Sequence, residues 1–231
     1  MRVTQYSVLI CQKAGIDKEH TETISQAAML HDIGKIGIRD SVLQKKGKLT
    51  KEEYQHIQTH VQITHDILSK IAASSESFKD VVEIASSHHE KFNGQGYFRH
   101  KEGLKIPLGG RILAVADVFD AITSIRHYRD RMPIQDAIKI IREGAGNHFD
   151  NRIVDLFLSV NCDKIIDVIL SDSNVILDAY SRKILEQHNL YQLESMINKE
   201  NYNSEEKLFI DLFNNFYINN TGNTNENDND N

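Results

Sequence analysis

The stretch RILAVADVFDAITS at 111–124 decides the fold. Wound as a helix, its part from Arg111 to Ala121 is apolar on nearly every side, with Ile112, Leu113, Val115, Val118 and Phe119 spread around the circumference. Such a segment belongs at the centre of a helical protein. Asp117 stands in its middle, and a carboxylate placed there needs a cation beside it.

Outward from this helix, apolar residues keep recurring at helical spacing. The sequence has two prolines, Pro107 and Pro133, and neither strand alternation nor hairpin signals recur. The expected fold is all-α, a compact helical bundle with additional C-terminal helices. Helices are expected near 2–14, 19–33, 50–72, 78–91, 107–125, 133–144 and 151–159, and then near 163–171, 173–189 and 203–218. Thr50 followed by Glu53 reads as a capping box for the third, and Thr21 as a weaker cap for the second. The character changes after residue 158. This suggests a first domain over 1–158, a helical extension over 159–218 and a disordered Asn/Asp-rich tail over 219–231. In the extension, Val175, Ile176, Ala179, Tyr180, Ile184 and Leu185, and later Leu208, Phe209, Leu212, Phe213 and Phe216, make amphipathic faces expected to pack on the domain or on a second copy in a homodimer.

Polar residues interrupt the apolar stripes in a pattern. At about 100° per residue, Ile24, Ala27, Ala28 and His31 share one face, with Asp32 at its edge. Ile57, Val61, Thr64, Ile67, Leu68 and Ile71 define an arc that encloses His60, and Val81, Ile84 and Ala85 lead to His88 with His89 on the adjoining stripe. A single inward His usually just bonds a backbone carbonyl, and an inward Asp can cap a neighbouring helix. Six such groups on four helices, His31, Asp32, His60, His88, His89 and Asp117, are another matter. Left unpaired they cost about 1–3 kcal/mol each, a large share of a domain's net stability. All six are metal-ligand types, so they are read as a metal cluster. His20, His56, His65, His100, His127, His148 and His188 are read as surface residues or as supports behind the site.

Composition narrows the function classes. With 231 residues and 40% hydrophobic content the chain can build a substantial core. A net charge of −6 disfavours an extended nucleic-acid surface, which needs an excess of Lys and Arg. Cys11 and Cys162 do not form a disulfide framework, and no membrane span or export signal is visible, so a cytoplasmic location is expected.

The motifs HDIGKIGI (31–38), HHE-x-x-N-G-x-G-Y (88–97) and RILAVADVFDAITS (111–124) together resemble the HD-GYP family. KGKLT-x-EE leading to His60, RHYR at 126–129 and GNHFD at 146–150 extend the likeness to about residue 158. That family is a branch of the HD superfamily of metal-dependent phosphohydrolases, known for degrading cyclic di-GMP. The resemblance implies a compact helical domain with two or three divalent ions, iron ahead of manganese. It implies that Asp32 bridges two metals, that His31 and Asp117 hold one of them, and that His60, His88 and His89 hold the other.

Mixed imidazole and carboxylate sites suit borderline first-row metals, and two ions about 3.5–4 Å apart can activate water and neutralise a phosphodiester. Lys35, at i+4 from His31, leans over the same opening if the helix continues, and the corresponding Lys belongs to the site in family members. Its other reading is a helix-terminal cation answering the macrodipole, with Gly34 and Gly37 marking the end. Arg126 and Arg129 flank Tyr128, and similar positions in the family contact the phosphates of the bound dinucleotide. Guanidinium suits that role, and a surface pair with Asp130 or Asp136 is the alternative. The loop Asn93-Gly94-Gln95-Gly96-Tyr97-Phe98 is shaped to hold an exposed aromatic, Tyr97, for base stacking or for a protein partner. Phe98 and Asn93 stand where the family usually has proline and aspartate.

Family members carry a further His ligand just before an Arg-Val pair like Arg2-Val3, which sets that His ahead of Met1. The front edge therefore reads as truncated, either because this is a fragment of a longer protein or because it is a shortened natural form, and the first metal position is expected to keep three protein ligands, His31, Asp32 and Asp117. The expected activity is metal-dependent hydrolysis of cyclic di-GMP to pGpG or GMP, with Asp32 and Lys35 catalytic. A catalytically weak module that binds nucleotide or a signalling partner is the alternative, and a generic HD-type nucleotidase the more distant one.

Overall fold

The computed structural model describes residues 1–73, 75–76, 78–125 and 130–218. Every regular element among the described residues is helical. They divide into two units, Met1–Val160 and a second beginning at Asn161.

In the first unit, α1 (Arg2–Lys13) and α2 (Lys18–Leu30) pack together and lead through a 3-10 turn (Ile33–Gly37) and the short α3 (Asp40–Leu43) to the long α4 (Lys51–Ala72). Then come α5 (Phe78–Ala85), a second 3-10 turn (Gly103–Lys105), α6 (Leu108–Thr123), α7 (Ile134–Glu143) and α8 (Asn151–Leu158). The stretch quoted first is the central helix: α6 packs against α1, α2, α5, α7 and α8. Ile112, Leu113, Val115, Ala116 and Phe119 on it are fully buried. Phe119 meets Tyr6 and Phe157 edge-on, at centroid separations of 5.2 and 4.7 Å, joining α1, α6 and α8. Each such ring contributes roughly 1.5–3 kcal/mol by burial. The buried Arg2 adds a polar tie, its Nε 2.7 Å from Asp120 Oδ1 on α6.

Local chemistry explains the helix ends. The Thr50 and Glu53 capping box opens α4 as expected. Asp17, rather than Thr21, caps α2: its carboxylate accepts the His20 N–H, while the Thr21 hydroxyl turns back to the Ile16 carbonyl. The helix expected over 19–33 stops at Leu30, and the one expected over 78–91 stops at Ala85. In the second case the Ser86 and Ser87 hydroxyls bond the Val82 and Glu83 carbonyls, and the His88 ring takes the Ala85 carbonyl, so the ladder gives way to turns.

The second unit holds α9 (Cys162–Leu170), α10 (Ala179–Leu185), α11 (Leu190–Ile197) and α12 (Ser204–Ile218). α12 packs on the other three and buries Phe209, Phe213 and Phe216. The single helix expected over 173–189 is shorter, and α11 follows it, because Asp178 and Asn189 each bind backbone N–H groups as N-caps and start new helices. Ile176 and Tyr180, expected on a packed face, are exposed, whereas Leu185 is buried. Cys11 and Cys162 are free thiols in the interior. No helix among the described residues is long and apolar enough to cross a membrane. The Asn/Asp-rich stretch from 219 lies outside the described residues.

Candidate metal centre

Four imidazoles line the floor of a site in the first unit. His31 caps the end of α2, His60 lies in α4, and His88 and His89 occupy the turn after α5. His31, His60 and His88 are at most 3% exposed. Each of these three points Nδ1 at the carbonyl three residues earlier: His31 at Ala28 (2.7 Å), His60 at Ile57 (2.6 Å) and His88 at Ala85 (2.6 Å). A carbonyl only accepts, so each Nδ1 carries the proton and donates it. In His60 and His88 the neutral ring then presents a bare lone pair at Nε2, the tautomer a metal ligand requires, whereas His31, beside Asp32 and Asp117, also holds a proton on Nε2 that a bound ion would displace. The backbone bond expected of an inward His is thus made by Nδ1, which leaves Nε2 as the atom each ring turns to the site.

The Nε2 atoms converge. His60 Nε2 lies 3.4 Å from His88 Nε2. Asp32 sits between two of the imidazoles, with Oδ1 3.4 Å from His60 Nε2 and Oδ2 3.3 Å from His31 Nε2. Asp117 Oδ1 on α6 lies 3.8 Å from His31 Nε2. Two groups of donor atoms come within 4.8 Å of one another, His60 with His88 and His89, and His31 with Asp32 and His88. All six residues singled out in the sequence thus meet at one place, with His88 shared between the two groups. The carboxylates are less buried than the apolar stripe predicts, at 31% exposure for Asp32 and 22% for Asp117, because they form the open rim above the imidazole floor.

Electrostatics follow from this layout. Burial holds the His60 ring below its ordinary pKa, pushes His88 down to about 4 and holds His89 well below its ordinary value, so these three stay neutral. Burial also opposes a charge on His31, yet Asp117 and Asp32 outweigh it and raise its pKa to about 10. The carboxyls of both aspartates are held below the usual range by His31 despite their desolvation.

Lys35 reaches the rim by a different route from a continued helix. It stands in the 3-10 turn and places Nζ 2.5 Å from Asp32 Oδ2. The turn lies flat on α4 because position 34 is glycine: a Cβ there would fall 2.0 Å from the His60 carbonyl oxygen.

The loop after His89 is tied down by Glu90, a buried residue whose role no periodicity reveals. Its carboxylate accepts the backbone N–H groups of Arg99 (2.8 Å) and Lys101 (3.1 Å). Tyr97 is half-buried rather than exposed: its ring stacks on His89 at 4.7 Å and 27°. Phe98 follows at φ +95°, a conformation closed to proline. Phe92 and Asn93 donate their N–H groups to the carbonyls of His148 and Asn147, so the GNHFD turn braces this loop. His148 is also half-buried, with its pKa lowered to about 4 by desolvation, then by Lys91 and against the influence of Asp117. Asp150 of the same turn caps α8 and pairs with Arg111 at 2.5 Å. Arg126 and Arg129 lie outside the described residues.

The model for a family described as HD domain matches residues 1–153. The chain belongs to the HD domain family. The HHE-x-x-N-G-x-G-Y run and the relatives below place it in the HD-GYP branch. A cyclic di-GMP phosphodiesterase of Vibrio cholerae is 42% identical over 159 residues, covering 68% of this chain and 31% of that protein. A 3'3'-cGAMP-specific phosphodiesterase 3 of the same organism is 39% identical over 64% of this chain and 32% of its own length. A cyclic di-GMP phosphodiesterase of Thermotoga maritima is 39% identical over 69% of this chain and 43% of that protein. The matched region therefore spans less than half the length of these curated relatives. The crystal structure of a cyclic GMP-AMP-specific phosphodiesterase of V. cholerae superposes with a TM-score of 0.52 at 16% identity, covering 93% of this chain and 53% of that one, which supports the all-α HD fold.

The residues present fit a metal. His31 Nε2 and Asp32 Oδ1 are buried without a hydrogen-bond partner. These two orphaned atoms, beside three further imidazoles and a second carboxylate, form a donor set that can hold divalent first-row ions.

Proposed function

We propose that residues 1–158, which lie within the first unit, form a metal-dependent phosphodiesterase that opens a cyclic dinucleotide, with cyclic di-GMP as the leading substrate and pGpG, then GMP, as products. The observation that carries this reading is the convergence of imidazole Nε2 atoms on Asp32, whose two oxygens address His60 and His31 separately. That placement supports Asp32 as the bridge between two ions, one held with His31 and Asp117 and the other with His60, His88 and His89. Iron is the expected metal and manganese the alternative. A bound pair of ions supplies the positive charge that neutralises a phosphodiester and activates water at neutral pH.

The chain's own residues do the rest. The backbone carbonyls of Ala28, Ile57 and Ala85 fix three rings before any ligand arrives, so little reorganisation is needed on binding. Lys35 Nζ at the open rim can leave Asp32 for a phosphoryl oxygen once Asp32 has other cations to serve. Tyr97, stacked on His89, walls one side of the opening and offers its outer face to a base. Arg126 and Arg129 are assigned to the phosphates on the strength of the family resemblance.

The test is turnover by anaerobically purified protein reconstituted with Fe(II) or Mn(II), given cyclic di-GMP and 3'3'-cGAMP in parallel. Linear pGpG from cyclic di-GMP is the expected result. Cleavage of 3'3'-cGAMP alone would redirect the substrate, and tight nucleotide binding without any linear product in a metal-loaded sample would overturn the enzyme reading in favour of a binding module.

A further inference from the structure

Thr64 is fully buried in α4, one helical turn after His60. Its hydroxyl does two things at once. It accepts the Gly34 N–H at 3.0 Å and donates to the His31 carbonyl at 3.0 Å, so it closes the turn that carries Asp32 from both ends. Those backbone groups lie past the end of α2, where no intrahelical partner serves them, and in a buried setting each would otherwise be left unpaired. The packing leaves no slack: a Cβ at Gly34 would come 2.5 Å from the Thr64 nitrogen, and one at Gly37 would come 2.6 Å from Ile63 Cδ1. Thus α4 supplies His60 to the site from one residue and seats the turn bearing His31, Asp32 and Lys35 with the residues that follow.

We infer that Thr64 is a positioning residue for the metal centre, holding the His31–Gly34 turn in register with His60 through these two hydrogen bonds. The inference rests on the metal-centre reading given above. Thr64 touches no ligand atom, so its effect passes through the backbone. Without its hydroxyl, the Asp32 carboxylate loses its fixed placement between His31 Nε2 and His60 Nε2. Supporting hydrogen bonds of this kind are typically worth about 10–100-fold in metal affinity.

The test compares wild type with Thr64→Val, which keeps the shape and removes the hydroxyl, and Thr64→Ser, which keeps the hydroxyl. Mn(II) affinity is measured by equilibrium dialysis, the visible spectrum is recorded after Co(II) loading, and circular dichroism of the metal-free proteins reports the fold. The expected result is about tenfold or greater weakening of Mn(II) binding and an altered Co(II) spectrum in Thr64→Val, with Thr64→Ser restoring both. Should Thr64→Val not fold, Thr64→Ala, which leaves room for a water, is read in the same way. Folded Thr64→Val or Thr64→Ala with wild-type affinity and spectrum would overturn the role of Thr64. Failure of the wild type itself to bind Mn(II) would instead overturn the metal centre.

Discussion

His60 Nε2 and His88 Nε2 face each other at 3.4 Å, and both rings have already committed Nδ1–H to a backbone carbonyl. Burial keeps both rings neutral, so two lone pairs point at one another across the floor of the site. Two acceptors at that separation repel unless a cation or a shared proton lies on them. The fold therefore stores an electrostatic cost that a bound ion removes.

Metal should stabilise the protein measurably. At an ion concentration of 100 times Kd the gain is about 2.7 kcal/mol, equivalent to roughly 5–10 °C in Tm for a chain of this size. Differential scanning calorimetry with and without Fe(II) or Mn(II) checks this, and an unchanged Tm at saturating metal contradicts it.

Metal affinity should rise with pH. The proton on His31, whose pKa is raised to about 10, sits on the nitrogen an ion needs. In the metal-free protein this raised pKa contributes stability that is fully present below pH ~6.5 and lost as pH climbs through about 10. His88 behaves oppositely: with its pKa lowered to about 4, its contribution is present above pH ~6.5 and lost as pH falls through about 4. One proton released per ion predicts about a tenfold gain in affinity per pH unit between 7 and 9. Mn(II) titrations across that range read the slope directly, and a flat profile would show that His31 is not a ligand.

Asp32→Asn should abolish turnover while leaving the helices in place. The amide retains one acceptor oxygen but loses the charge that addresses both His31 and His60. We expect turnover to fall by more than about 100-fold and the bound metal to drop with it. Metal analysis beside a cyclic di-GMP assay decides, and a variant with full metal content and near wild-type rate would remove Asp32 from the bridge.

Phe98→Pro should destabilise the loop, although proline is the family's usual residue at this place. At φ +95° the ring cannot form without moving the backbone that delivers Tyr97 to His89, at a cost of about 1–3 kcal/mol. Phe98→Gly should relieve the strain while giving up the contacts of Phe98 with His65 and Arg99, leaving stability nearly unchanged. Urea denaturation of the pair checks the order, and a more stable Phe98→Pro would mean that the loop takes a different path.

Much of the site was legible because its residues break a rule. His31, Asp32, His60, His88, His89 and Asp117 are conspicuous where apolar periodicity leads the reader to expect Leu or Ile, and the capping box at Thr50 is written within four residues. Thr64 and Glu90 were not legible as functional. Thr64 reads as one more member of a buried arc, and Glu90 as one letter of the HHE run with no role of its own, since their partners lie on other segments or around a turn. Lys35 reaches Asp32 from a 3-10 turn and not from the continued helix that its i+4 spacing implies, because α2 ends at Leu30.

Most of the helices, the central place of α6 and the side chains of the candidate centre follow from the sequence, because periodicity and residue chemistry are local properties. Only the tertiary structure decided which nitrogen each imidazole presents, that His88 and His89 stand in a turn rather than on a helix, and that Tyr97 folds inward over His89. Those outcomes depend on side-chain hydrogen bonds to nearby carbonyls, on ring stacking within one loop and on close approaches such as Gly34 against α4, none of which apolar spacing encodes.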